Sequence, residues 1–107
     1  DGVAIRVPTP NVSCVDLTFE AARDTTVKEI NAAIHAAAAG PMKGVLGVTD
    51  EKLVSMDFNH DSHSSIFATD QTKVMDGTLC RILTWYDNEW GFSTRMSDTA
   101  AEMGKYL

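Results

Sequence analysis

Chemistry in this chain concentrates at the end of one apolar run. Leu79 to Tyr86 has the length and the β-branched and aromatic character of a buried strand, and it stops abruptly at Asp87, Asn88 and Glu89, between Trp85 and Trp90. Amide and carboxylate groups held at a strand end are aimed more firmly than groups on a free loop, and flanking indoles exclude water around them. A second candidate is Arg6, a guanidinium among apolar residues. Its fork matches phosphate or carboxylate oxygens, so it either binds an anion or forms a structural ion pair on a sheet surface.

Two other sets of reactive side chains carry less. His60, Asp61 and His63 fall within four positions, and imidazole with carboxylate is a common ligand set for zinc or iron. The spacing matches no strong metal signature, and Asn, Asp and Ser in such a loop usually bond to their own backbone, so no metal site is expected. Cys14 and Cys80 sit inside apolar strand-like runs, where a thiol serves as a small buried hydrophobe. Free, reduced thiols are expected, composition alone does not exclude a disulfide, and neither residue has the electropositive setting of a thiolate nucleophile.

The elements that must position these groups follow from periodicity. Val3, Ile5 and Val7 alternate with Ala4 and Arg6 as a strand ended by Pro8 and Pro10. Ser13, Val15, Leu17 and Phe19 line one face of the next strand, with Val12, Cys14, Asp16 and Thr18 on the other; Asp16 reads as a structural acceptor. Thr26 to Glu29 has capping-box spacing, and Val27, Ile30, Ile34 and Ala37 give the following helix an apolar stripe that stops at Gly40-Pro41. Strands are expected at 45–48, 53–58 and 66–69. Asp76-Gly77 then marks a hairpin whose second arm is the Leu79 run. Phe92, Met96, Ala100, Met103 and Leu107 recur at helical steps, so an amphipathic helix without a visible cap carries the chain to its end, its stripe needing a surface that lies outside this chain. The pattern predicts one α+β unit with a mostly antiparallel sheet and helices on one face.

Composition narrows the function classes. In 107 residues, 15 acidic and 9 basic side chains give a net charge of −6, with Lys and Arg scattered singly, which argues against nucleic acid as a partner. No apolar run approaches the ~18 residues of a membrane span. The amino terminus lacks the basic and apolar regions of a signal peptide and reads as the start of a strand, so the chain is expected to begin within a larger architecture. A cytoplasmic location is expected.

The segments Arg6 to Ser13, Val15 to Thr18, Gly40 to Gly44, Asp57 to Asn59, His63 to Ser65 and Trp85 to Gly91 resemble, in this order, the carboxy-terminal third of phosphorylating glyceraldehyde-3-phosphate dehydrogenases. The resemblance implies a homotetrameric glycolytic oxidoreductase that uses NAD, glyceraldehyde 3-phosphate and inorganic phosphate. It implies that residues 1–87 are the later part of the catalytic domain, and that the helix of 88–107 packs on an NAD-binding domain elsewhere in the same polypeptide. The family's nucleophilic cysteine, its histidine and the dinucleotide fingerprint match nothing here, so no catalytic residue is expected in this chain and no activity from it alone. By the same resemblance Arg6 binds substrate phosphate and the attacking phosphate, and Asn88 holds the nicotinamide carboxamide. Tyr86, Glu89 and Phe92 lie nearby as supports, although the family usually has tyrosine at the position of Phe92. Erythrose-4-phosphate dehydrogenase, which shares the Asn-Glu-Trp-Gly-Phe run, and a non-catalytic interaction fragment are the alternatives.

Overall fold

The structure, a computed structural model, describes Asp1–Leu107. Its strands are β1 (Ser13–Glu20), β2 (Leu46–Thr49), β3 (Ser65–Ala68), β4 (Lys73–Met75) and β5 (Leu79–Tyr86), and its helices are α1 (Val27–Ala39) and α2 (Trp90–Met103). β5 is the axis of the sheet. Along one edge it pairs antiparallel with all of β1, from Ser13 opposite Tyr86 to Glu20 opposite Leu79. Its other edge is shared: β3 takes Thr84 and Trp85, and β4 takes Leu79 to Arg81, both antiparallel. β2 lies outside β3 and is the one parallel neighbour, which requires the long connection through residues 50–64. The expected α+β class with a mostly antiparallel sheet is what forms.

Local sequence accounts for most of these elements. The Thr26 hydroxyl accepts the Glu29 amide at 3.2 Å while the Glu29 carboxylate accepts the Thr26 amide at 3.1 Å, the reciprocal pair that opens α1. The Glu29 carboxyl is held below its usual range by the Thr25 hydroxyl and, against some desolvation, by Arg23. Asp76 and Gly77 adopt the positive φ angles expected of the hairpin, at 50° and 78°. The connection also takes in Thr78, since Met75 pairs with Leu79 and the Thr78 carbonyl turns away to accept the Ala21 amide.

Three expectations need correction. Val3 to Val7 is no strand: the segment has no regular secondary structure and is exposed, and its one backbone hydrogen bond runs from the Thr9 amide to the Val7 carbonyl. A strand exists only against a neighbour that takes up its backbone groups, and none of the five strands pairs with it. The 53–58 stretch ends in a 3₁₀ turn, Ser55–Phe58, closed when the Val54 amide donates to the Asp57 carboxylate at 2.7 Å. Local side-chain bonding there outcompetes alternation, and it turns Phe58 inward. Cys80 is fully buried as expected, but Cys14 is exposed, because β1 from Cys14 to Thr18 is uncovered on both of its faces.

The core is small and lies beneath the end of β5. Val12, Phe58 and Ile66 are buried together with Leu53 and Trp85 against them, and the Phe58 and Trp85 rings stack 5.6 Å apart. α2 starts directly above, and the cap that its sequence hides is Asp87. One carboxylate oxygen of Asp87 accepts the Glu89 and Trp90 amides at 3.0 and 2.8 Å; the other accepts Asn11 Nδ2 at 2.7 Å and the His60 amide at 2.9 Å. Burial of this residue, 2% exposed, pushes its pKa up, and the four donors outweigh that and leave it below the usual carboxylate range. Gly91 follows because a β-carbon there would stand 2.8 Å from the His63 carbonyl.

The lowered pKa means that the folded state prefers ionised Asp87. Its stabilisation is complete above the ordinary aspartate value near 3.8 and disappears as pH falls through the lower folded-state value. Asp87→Asn, which sets an amide against two donors, is expected to destabilise by about 1–3 kcal/mol near neutrality, with the gap to wild type closing in acid; urea unfolding across pH measures both. Gly91→Ala should cost about 1–3 kcal/mol in the same assay, with no such pH dependence.

Candidate functional site

Residues 9–13 bring the candidate side chains together. Beyond Pro10 the chain makes a tight reversal in which Val12 takes φ of 69°, a left-handed conformation that a β-branched residue strongly disfavours. The strain is sustained by burial of Val12 against Phe58 and Ile66 and by Ser55, whose hydroxyl lies 3.0 and 2.9 Å from the Asn11 and Val12 carbonyls. Asn11 is thereby turned to Asp87, and it also donates to Asn59 Oδ1 at 2.9 Å. Two residues later, Ser13 Oγ accepts Asn88 Nδ2 at 2.7 Å. Residues 11 and 13 thus clasp residues 87 and 88, side chain to side chain.

In front of this clasp lies a groove of about 1070 Å³. Arg6 lines it from the amino-terminal segment, Ser13 and Cys14 from β1, and Asn88 and Glu89 from the β5–α2 junction. The two residues that sequence singles out for binding, Arg6 and Asn88, therefore face one cavity although 82 positions separate them. Arg6 takes part in none of the ion pairs of the structure, so the sheet-surface pair considered for it does not form. The sheet-surface pair is instead Arg81 with Asp16, at the groove floor, where Nε and Nη2 donate to the two carboxylate oxygens at 2.7 and 2.8 Å. Those bonds hold the Asp16 carboxyl below its usual range despite partial desolvation, so Asp16 is the structural acceptor its position implied.

The supporting candidates divide. Tyr86 is half-buried in β5 opposite Ser13, and Glu89 is exposed with its amide on Asp87. Phe92 is 65% exposed and does not line the groove. In the histidine loop, Asp61 accepts the His63 amide at 2.8 Å and contacts His63 Nδ1 at 2.7 Å, while the His60 ring stacks on Trp90, with centroids 4.4 Å apart. These side chains are engaged with their own loop and with α2 and do not converge on one point. A smaller cavity of about 190 Å³ between Leu53, Phe58, Leu83 and Trp85 holds none of the candidates.

Ser13 and Asp87 are the residues that sequence reasoning undervalued. Ser13 reads as one member of an alternating strand face and Asp87 as support, because the partner of Ser13, Asn88, and one of the partners of Asp87, Asn11, lie more than seventy positions away. The local signal that was present is the Pro-Asn pair before a strand, which marks a turn whose side chain needs an acceptor.

The family model described as glyceraldehyde 3-phosphate dehydrogenase, C-terminal domain, matches residues 1–88. The glyceraldehyde-3-phosphate dehydrogenase of Cereibacter sphaeroides is 74% identical over 107 residues, covering 100% of this chain and 32% of that protein. Those of Xanthobacter flavus and Zymomonas mobilis are 66% and 60% identical, over 98% and 100% of this chain and 31% and 32% of theirs. The chain spans about a third of the length of these relatives. With the family model matching residues 1–88 and relatives this similar along the whole chain, the chain belongs to the glyceraldehyde-3-phosphate dehydrogenase family, in its C-terminal domain.

Proposed function

We propose that this chain is the carboxy-terminal third of a phosphorylating glyceraldehyde-3-phosphate dehydrogenase, which oxidises glyceraldehyde 3-phosphate with NAD and inorganic phosphate, and that it supplies binding groups and not the nucleophile. The observation that carries the proposal is that Arg6 and Asn88 line one groove. Arg6, without a carboxylate partner, offers a bidentate fork to a phosphate, on the substrate or as the attacking group. Asn88 presents a carboxamide, the complement of the carboxamide on nicotinamide, so the residues present fit NAD in this part of its site. Bound there, NAD supplies the hydride acceptor. Asn88 fixes the orientation of its ring, Tyr86 and Glu89 border that contact, and the Asp87 clasp keeps Asn88 at a set height above β1.

The rest of the same polypeptide contributes the thiol, its histidine and the dinucleotide-binding domain in this reading, with a cytoplasmic homotetramer as the working form. Residues 1–87 belong to the catalytic domain, and α2, within 88–107, packs on the NAD-binding domain. The exposure of Phe92, Met96 and Met103, each more than half accessible, supports a covering partner for that stripe.

Two measurements test the reading. The isolated 107 residues should show no reduction of NAD with glyceraldehyde 3-phosphate and phosphate; turnover would refute the division of labour. In the complete enzyme, Arg6→Ala should raise the KM for aldehyde and for phosphate about tenfold or more, the weight of a charge-assisted phosphate contact, while NAD affinity holds. Unchanged KM values would remove Arg6 from the site.

A further inference from the structure

An exposed asparagine amide rotates readily, since its terminal torsion is broad and nearly two-fold. Asn88 lies on the exposed side of the β5–α2 junction, yet its Nδ2 is committed to Ser13 Oγ at 2.7 Å. With Nδ2 so engaged, Oδ1 accepts no hydrogen bond from the protein and remains free as an acceptor beside the groove that both residues line. Ser13 is itself well fixed. It begins β1, its backbone stands opposite Tyr86 in the ladder, and the residue before it is the strained, buried Val12.

We infer that Ser13 is a positioning residue for cofactor binding: its hydroxyl sets the rotamer of Asn88 so that the amide oxygen is presented to an NH₂ donor, the carboxamide of a nicotinamide. The inference rests on the proposed role of Asn88 and adds to it a polarity, oxygen toward the ligand and nitrogen toward β1. Fixing the amide before the ligand arrives removes an ordering cost from binding, so the hydroxyl acts on affinity for the dinucleotide and leaves the aldehyde and phosphate contacts of Arg6 alone.

The test uses the complete enzyme with NAD as the titrant. Ser13→Ala should weaken NAD affinity about three- to tenfold, the weight of one hydrogen bond, with KM for aldehyde and phosphate and the thermal midpoint unchanged. Ser13→Thr, which keeps the hydroxyl on a strand-compatible side chain, should restore affinity. In an Asn88→Ala background the Ser13 substitution should have no further effect. Ser13→Cys, close in size but a weak acceptor, replaces the alanine variant if that one does not assemble. If Asn88→Ala weakens NAD binding and Ser13→Ala does not, or if Ser13→Ala weakens it equally in both backgrounds, the positioning role is overturned and the Asn88 assignment stands. Wild-type NAD affinity in Asn88→Ala overturns the assignment itself, and the role of Ser13 with it.

Discussion

A buried carboxylate with four hydrogen-bond donors is the constraint on which the rest of this structure depends. Asp87 follows the last residue of β5 and caps α2, so a strand becomes a helix within four residues. A helix leaves its first amides without intrahelical partners, and a carboxylate there satisfies two of them while its negative charge meets the positive end of the helix dipole favourably. The second oxygen reaches sideways to Asn11 and to the backbone of His60, which draws two further loops to the same point. An unpaired carboxylate this deeply buried would be costly, and this one is retained because all of its neighbours donate.

The clasp explains the irregular backbone around it. Val12 and His60 both take positive φ, at 69° and 64°, and each is adjacent to or part of a group bonded to Asp87. Strain of this kind persists where surrounding contacts over-determine the conformation. Here the contacts are the packing of Val12 on Phe58 and Ile66, the Ser55 hydroxyl on two carbonyls, and the stacking of His60 on Trp90. The segment bearing Arg6 joins the chain at this point, directly before the Asn11–Ser13 clasp.

Elsewhere the molecule presents surface in place of core. α2 docks through Gly91, Thr94 and Arg95, the last donating to the Gly44 carbonyl at 3.0 Å, and so turns its apolar stripe outward. The open sheet face carries the Asp16–Arg81 pair, which at this exposure contributes little to stability and instead gives a fixed charge pattern to whatever lies over it. Apolar and ordered charged surface of this extent is typical of parts that associate.

How much of this was legible in the sequence varies with the range of the interactions involved. The Thr26–Glu29 box, the Asp76-Gly77 hairpin and the helical repeat of α2 are local rules, satisfied by residues within a few positions of one another, and the sequence determined them; β1 formed as a strand, but its expected apolar face, Val15 and Leu17 included, stays exposed. Arg6 was readable as a candidate because a guanidinium stands out against apolar neighbours, whereas Asn88 was one of three polar residues at a strand end, Asp87 to Glu89, and only the family resemblance separated it from the other two. The strand expected at Val3 to Val7 did not form because strand structure depends on a partner, and alternation describes only a face. The sequence also could not tell that Asn11 would meet Asp87 or that Ser13 would meet Asn88, because side chains seventy-six and seventy-five positions apart become neighbours only once β1 and β5 have paired in register. That register, Ser13 opposite Tyr86 through Glu20 opposite Leu79, was decided by the tertiary structure alone, because it joins backbone groups that no local rule relates.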